Sequence, residues 1–214
     1  ESPHQNLYFK PHEGGSMFEW DLRALGHNLL NVLSRREEGY HAQLVDYQRR
    51  GGQAEANGSV QTIHDRVRVK DLGLETRLFT DWYRRANLLD HFLHPDTTVD
   101  SFYRCQYGEQ GDFIKSGYTF EITGADQQNV CLSRVGNVWT GDQRNSLLVE
   151  KTISPLEATG WQVAYRIKNV DGPACDISFA SEMNFAFSTQ PDQDPTDHPM
   201  VQTWSRQDSA FKFN

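Results

Sequence analysis

Trp161-Gln162-Val163-Ala164-Tyr165-Arg166-Ile167-Lys168 sets a large apolar side chain at every second position. A strand turns successive side chains to opposite faces, so this spacing describes a strand with one face packed and the other wet. Further on, Ile177, Phe179, Met183, Phe185 and Phe187 share one parity, broken at Ser181, while Ser178, Ala180, Glu182, Asn184, Ala186 and Ser188 between them are small or polar. Asp171-Gly172-Pro173 separates the two runs as a turn signal, and the expectation is an antiparallel pair. Upstream, Ser146 to Ile153 reads as another strand, ended by Ser154-Pro155. Tyr118, Phe120 and Ile122 alternate as well, ahead of Gly124-Ala125-Asp126 and Val130-Cys131-Leu132. Short strands in succession, joined by turn-forming residues, predict a mainly β fold: a large antiparallel β-sandwich with one or two short helices. Its expected core includes Trp161, Tyr165, Phe179, Phe185 and Phe187.

The first half is mixed. Asn6 to Lys10 and Ser16 to Asp21 read as strands around Pro11 and Gly14-Gly15. Leu25, Leu29, Val32 and Leu33 recur at helical spacing and predict about three helical turns. Trp82, Ala86, Leu89 and Leu93 repeat that pattern, with Asp81 as N-cap and Pro95 as the stop. Gln48 to Gly58 and Thr189 to Pro199 read as surface loops, the second crossed by three prolines.

Charge and composition narrow the function. The chain has 214 residues and a net charge of −8, from 21 basic and 29 acidic side chains. Phosphate-backbone binding needs a basic surface, so a nucleic-acid partner is not expected. Arg35-Arg36, Arg49-Arg50 and Arg84-Arg85 are pairs rather than a stripe, and suit local ion pairing. No apolar run approaches the ~20 residues that cross a bilayer, and no membrane partner is expected. Cys105, Cys131 and Cys175 form an odd set without CxxC spacing, which argues against a disulfide framework and for a reducing, cytoplasmic setting. Aromatic residues make up 12% of the chain, and rings at that density need a packed interior.

Signatures of chemistry are sparse. His91 and His94 stand as H-x2-H, without the i, i+4 spacing or nearby cysteines of a helical zinc site, so neither a metal nor a cofactor is expected. There is no G-x-S-x-G, S-x-x-K or GxxxxGK. Asn57-Gly58-Ser59 suits an Asn-Gly turn better than a glycosylation site, since no secretion leader opens the chain. What remains is a polar row on one strand face. Glu182 and Asn184 fall on the same side, with Arg166 on the preceding strand able to pair with Glu182 or to add a donor. Such groups orient sugar hydroxyls. The plain alternative is a solvated outer face.

Two stretches lift the sequence above the generic. They are Gly14-Gly15-Ser16-Met17-Phe18-Glu19-Trp20-Asp21 and Asn28-Leu29-Leu30-Asn31-Val32-Leu33-Ser34-Arg35-Arg36-Glu37-Glu38-Gly39-Tyr40-His41. Asp90-His91-Phe92-Leu93, and Gly111-Asp112-Phe113 followed by Tyr118, come later in matching order. This series resembles the C-terminal β-sandwich region of family 57 glycoside hydrolases, the α-amylase/4-α-glucanotransferase group; Trp20 stands where that pattern has Leu. The resemblance implies a galactose-mutarotase-like sandwich over residues 1–214 as a single domain. It also implies a fragment of a longer chain, without the N-terminal catalytic barrel, and would place the last strands of the sandwich beyond Asn214. The family's nucleophile and acid/base belong to that barrel, so the resemblance carries no catalytic residue onto this chain. The implied partners are the barrel of the same parent protein and an α-glucan oligosaccharide. The competing reading is a free-standing mutarotase-like sugar epimerase. It needs a His as acid and a Glu as base, meeting in one cleft.

Overall fold

The computed structural model describes residues 1–49, 78–125, 128–156 and 160–186. In chain order the elements are β1 (Gln5–Lys10), β2 (Ser16–Leu22), β3 (His27–Asn28), α1 (Gly39–Arg49), β4 (Leu89–Leu93), α2 (Val99–Tyr103), β5 (Thr119–Thr123), β6 (Asn129–Thr140), β7 (Gln143–Pro155), β8 (Trp161–Asp171) and β9 (Ser178–Glu182). All strand pairing among them is antiparallel. The mainly β class with two short helices is as expected, although neither helix lies where helical spacing places one.

A four-stranded sheet, β5-β6-β7-β8, forms one wall. Its centre is the long β6–β7 hairpin, closed by Gly141-Asp142 between the paired Thr140 and Gln143. Gly141 takes φ 63°, the positive value that the first position of a tight two-residue hairpin turn requires. Along β7 every second residue is buried: Asn145, Leu147, Val149, Lys151 and Ile153. Opposite this wall lie the sheet β1-β2-β3 and the ribbon β4-β9. An isolated bridge, Met17 to Asn87, links β2 to the segment entering β4. Met17, Trp20, Leu88 and Phe92 from this side share one core with Leu132, Leu147, Val149 and Ile153 of the wall. Trp161, Tyr165, Phe179 and Phe185 pack against that core half-buried, and Phe187 lies outside the described residues.

Gly14 and Gly15 explain why the first quoted stretch opens with two glycines. Both have positive φ, 68° and 54°. A Cβ on Gly14 would stand 2.2 Å from the carbonyl oxygen of Ile114, and one on Gly15 2.8 Å from the ring of Tyr118.

Three expectations are corrected. No helix forms over Leu25 to Leu33, where Gly26 turns the chain at φ 58° and His27 pairs with Leu22. The Asn28 side chain then accepts from the amides of Trp20 (3.2 Å) and Leu30 (2.9 Å), so only Leu29 and Leu30 are buried, while Leu25 and Leu33 stand 73% and 91% exposed. Nor is there a helix from Trp82 to Leu93. Asn87 exchanges two backbone hydrogen bonds with Met17, both 2.9 Å, and β4 follows. Asp81 is no N-cap; it binds Arg35 and Arg85. Finally, β8 and β9 are not neighbours in one sheet. β8 pairs with β7, and β9 crosses to pair with β4, laying Phe179 on Tyr165 with ring centroids 5.1 Å apart. Pro173, whose carbonyl accepts from Asn145 (2.5 Å) and Asn169 (2.8 Å), anchors that crossing. Of the two expected loops, Gln48 and Arg49 end α1; residues 50–58, with the Asn57-Gly58-Ser59 turn, and residues 189–199 lie outside the described residues.

Candidate functional site

The β4–β9 register creates a polar site on one face of the ribbon. Leu89 stands opposite Glu182, which puts His91 diagonally next to Glu182 on the same side. His91 Nε2 lies 2.9 Å from Glu182 Oε2, and its Nδ1 lies 3.0 Å from Glu109 Oε2 and 3.1 Å from the Tyr107 hydroxyl. With a carboxylate at each ring nitrogen, both nitrogens serve as donors and the ring is an imidazolium. Burial alone would pull its pKa down, but the hydrogen bonds to Glu109 and Glu182 prevail and hold it above the ordinary value.

Glu182 is surrounded by donors. Oε1 receives Arg85 Nη1 and, at 3.1 Å, Asn184 Nδ2; Oε2 receives the Tyr83 hydroxyl at 2.7 Å and His91 Nε2. A carboxylate has about four acceptor positions, so this one has none left. Burial pushes its pKa up, and the His91 hydrogen bond, the Arg85 charge and the Tyr83 hydroxyl together bring it below the ordinary value. Burial beside Glu182 drives the Tyr83 phenol far up. Arg85 also reaches Asp81 at 2.8 Å, and Arg35 meets the same oxygen at 2.5 Å. Although burial opposes it, these guanidinium bonds bring the Asp81 pKa down to about 2. Rings enclose the cluster: His91 packs edge-on to Tyr83, Tyr107 and, at 5.2 Å, Phe102 of α2. His91 is 0% exposed and Glu182 7%.

The other face of the ribbon carries a second buried cluster, gathered on one oxygen of Asp90. Lys151 Nζ, inside the β7 apolar row, donates to Asp90 Oδ2 (2.8 Å) and to the carbonyls of Gly14 (3.0 Å) and Leu88 (2.6 Å), using all three of its hydrogens. Tyr118 donates to the same Asp90 oxygen at 2.6 Å.

The polar row expected to meet sugar is thus not an outer face. Glu182 is interior, and the Asn184 side chain is spent on Glu182 and the Ala86 carbonyl. Arg166 does not join them: it lies opposite Glu150 on β7 and binds it at 2.7 Å, with 66% of its side chain exposed. His91 and His94 do not form a chelating pair, since both His91 nitrogens are taken and His94 is half-exposed near Asp96. Sequence reasoning missed Tyr83, Arg85, Tyr107 and Glu109. A usable signal was Asp90-His91 inside the otherwise apolar run Leu88 to Leu93, because ionisable residues there require buried partners.

Comparison with known proteins places this architecture. The family model described as "Alpha-amylase/4-alpha-glucanotransferase, C-terminal" matches residues 1–208. The chain is 31% identical over 187 residues to Alpha-amylase 1 of Dictyoglomus thermophilum, covering 87% of this chain and 25% of that protein. It is 32% identical over 158 residues to a 4-alpha-glucanotransferase of Thermococcus litoralis, covering 74% of this chain and 23% of the other. The crystal structure of a 4-alpha-glucanotransferase from Thermococcus litoralis matches with a TM-score of 0.66 at 30% identity, over 87% of this chain and 24% of that one. The chain spans about a quarter of the length of these relatives. The match over residues 1–208 shows that the chain belongs to the C-terminal domain family of α-amylases and 4-α-glucanotransferases.

Proposed function

We propose that the chain is the non-catalytic C-terminal domain of an α-glucan-processing enzyme of the α-amylase/4-α-glucanotransferase type, packing on a catalytic barrel and assisting its hold on oligosaccharide. The observation that carries this reading is the closed state of the Glu182–His91 pair. General acid–base catalysis on a sugar needs a group within hydrogen-bond reach of the reacting hydroxyl. Here every acceptor position of Glu182 is filled from within, and His91 has no exposed surface. The pair therefore serves packing. The epimerase reading asks for this combination of residues in an open cleft, and gains no support from a buried one. Of the three residues expected to contact sugar, Arg166 alone keeps an exposed side chain, on the outer face of β8. That face is where this reading puts any oligosaccharide contact.

Incubation of the purified chain with maltoheptaose, following product lengths, tests the reading. No change in chain length is expected. Turnover that copurifies with the chain and disappears in Glu182→Gln overturns it. Titration with maltooligosaccharide adds a second measurement: amide shifts confined to residues 162–168 support assistance in binding, and shifts at 178–186 contradict the closed cluster.

A further inference from the structure

Two strands at one margin of the sandwich are left open. β5 is outermost in the four-stranded wall and β1 outermost in the sheet opposite, and among the described residues no strand pairs on the free side of either. Between them runs a groove of about 200 Å³. Leu7 and Phe9 of β1, both half-buried, line it together with Ile122 of β5 and Val130 of β6. Ile122 and, two positions back on the same strand face, Phe120 are each 59% exposed, although their cross-strand partners Val130 and Leu132 pack into the core. Natural proteins guard a strand edge with Lys, Pro, a bulge or a covering element. β5 reads Thr-Phe-Glu-Ile-Thr and pairs with β6 in unbroken register, so it has none of the first three. Covering is the device left.

The path into β1 decides what covers it. Ser2 N donates to the Gln5 carbonyl at 2.8 Å, Gln5 N to Ser2 Oγ at 3.1 Å, and Arg23 Nη1 to the Ser2 carbonyl at 3.0 Å, so the residues ahead of β1 are pinned. Glu1 and Ser2 thereby stand in the lining of the same groove as Ile122. The family the chain belongs to is a C-terminal one, and the chain spans about a quarter of the relatives' length. In a protein of that kind the N-terminal part joins ahead of residue 1, and its own connection delivers it to the groove. A tethered segment has a far higher local concentration there than a separate molecule. An extended one also takes up the open N–H and C=O groups of β5 while its alternate side chains cover Phe120 and Ile122. We propose that the β5 edge and the groove beside it are the seam between this domain and the N-terminal part of its parent, filled by an extended apolar segment of that part. The seam rests on the proposed place of the chain in a larger enzyme and adds the surface that holds it there.

The test is made in the full-length parent, with the photoreactive residue p-benzoylphenylalanine in place of Phe120 or of Ile122, and in place of Trp139 on the outer face of β6 as the control. Illumination and peptide mapping should link both β5 positions to polypeptide ahead of Glu1 in the same molecule, in at least tenfold higher yield than the control position. Links instead to another segment of residues 1–214, to polypeptide beyond Asn214 or to a second copy overturn the proposal, as does a yield no higher than the control's. Hydrogen exchange of the unsubstituted parent needs no variant. A paired β5 should protect successive amides of residues 119–123 alike, whereas fast exchange at every second amide is the mark of an open edge and overturns the seam. Maltoheptaose turnover by the parent is followed separately. A parent inert toward it but linked through β5 fails the α-glucan reading and keeps the seam, and an active parent without these links fails the seam alone.

Discussion

Glu182 holds two cations, Arg85 and His91, in a place that water scarcely reaches. Exchange for Gln keeps the shape but removes the carboxylate the two charges share, leaving Arg85 with Asp81 alone and His91 with Glu109 alone, and breaking a buried pair in this way costs up to about 3–5 kcal/mol. Urea denaturation of Glu182→Gln should show that loss as a lower midpoint. The same contacts make stability depend on pH, in two directions. The His91 pKa is raised in the fold, so its contribution is complete below the ordinary value of 6.5 and is lost as pH climbs through the folded value. The Glu182 pKa is lowered, so its contribution is complete above the ordinary value of 4.5 and is lost as pH falls through the folded value. The cluster therefore contributes most between those two values. Denaturation midpoints taken from pH 3 to pH 9 should decline on the alkaline side in the native chain, and that decline should flatten in His91→Gln. A native alkaline limb as flat as the variant's would contradict the imidazolium assignment.

At the scale of elements, what could be read from the sequence was what depends on near neighbours. β7 and β8 follow from period-2 alternation because each strand has one face against the core, so its own side chains report its orientation. The helices expected at Leu25–Leu33 and Trp82–Leu93 failed for the converse reason. Their apolar spacing is real, but the backbone there is claimed by partners distant in sequence: Asn87 by Met17, and Leu89 to Leu93 by β9. Leucine truncation makes the difference measurable. Leu29→Ala and Leu30→Ala remove buried side chains and should each cost ~2–5 kcal/mol. Leu25→Ser and Leu33→Ser alter exposed ones and should stay within about 0.5 kcal/mol. An amphipathic helix would instead have placed Leu25, Leu29 and Leu33 together on one buried stripe. The candidate site was illegible for a related reason. Alternation assigned Glu182 correctly to the face opposite Phe179, but no local pattern reveals that β4, Tyr83 and Arg85 cover that face.

Across the whole molecule, the ribbon β4-β9 is the middle of the structure, since both of its faces are covered: Asp90 and Phe179 meet the four-stranded wall, and His91 and Glu182 meet the Tyr83–Arg85 segment. The wall itself is not covered to its edge. Antiparallel partners point to the same side, and Phe120 is paired with Leu132, and Ile122 with Val130. Leu132 is wholly buried, yet Phe120 and Ile122 on that same inner side are each 59% exposed. Their alternation with Tyr118 is the strand pattern the sequence shows, but only Tyr118 reaches the core. Core membership is therefore set by how far the opposite layer extends, which no strand encodes by itself. Serine at Phe120 or at Ile122 should then cost about 1 kcal/mol or less by chemical denaturation, since much of each side chain gains little from folding. Leu132→Ala, on the paired strand, should cost ~2–5 kcal/mol. A penalty at Phe120 as large as that at Leu132 would mean that polypeptide other than the described residues covers this edge in solution. Equal stability of Phe120→Ser and the native chain would instead fix β5 as the open margin of the sandwich.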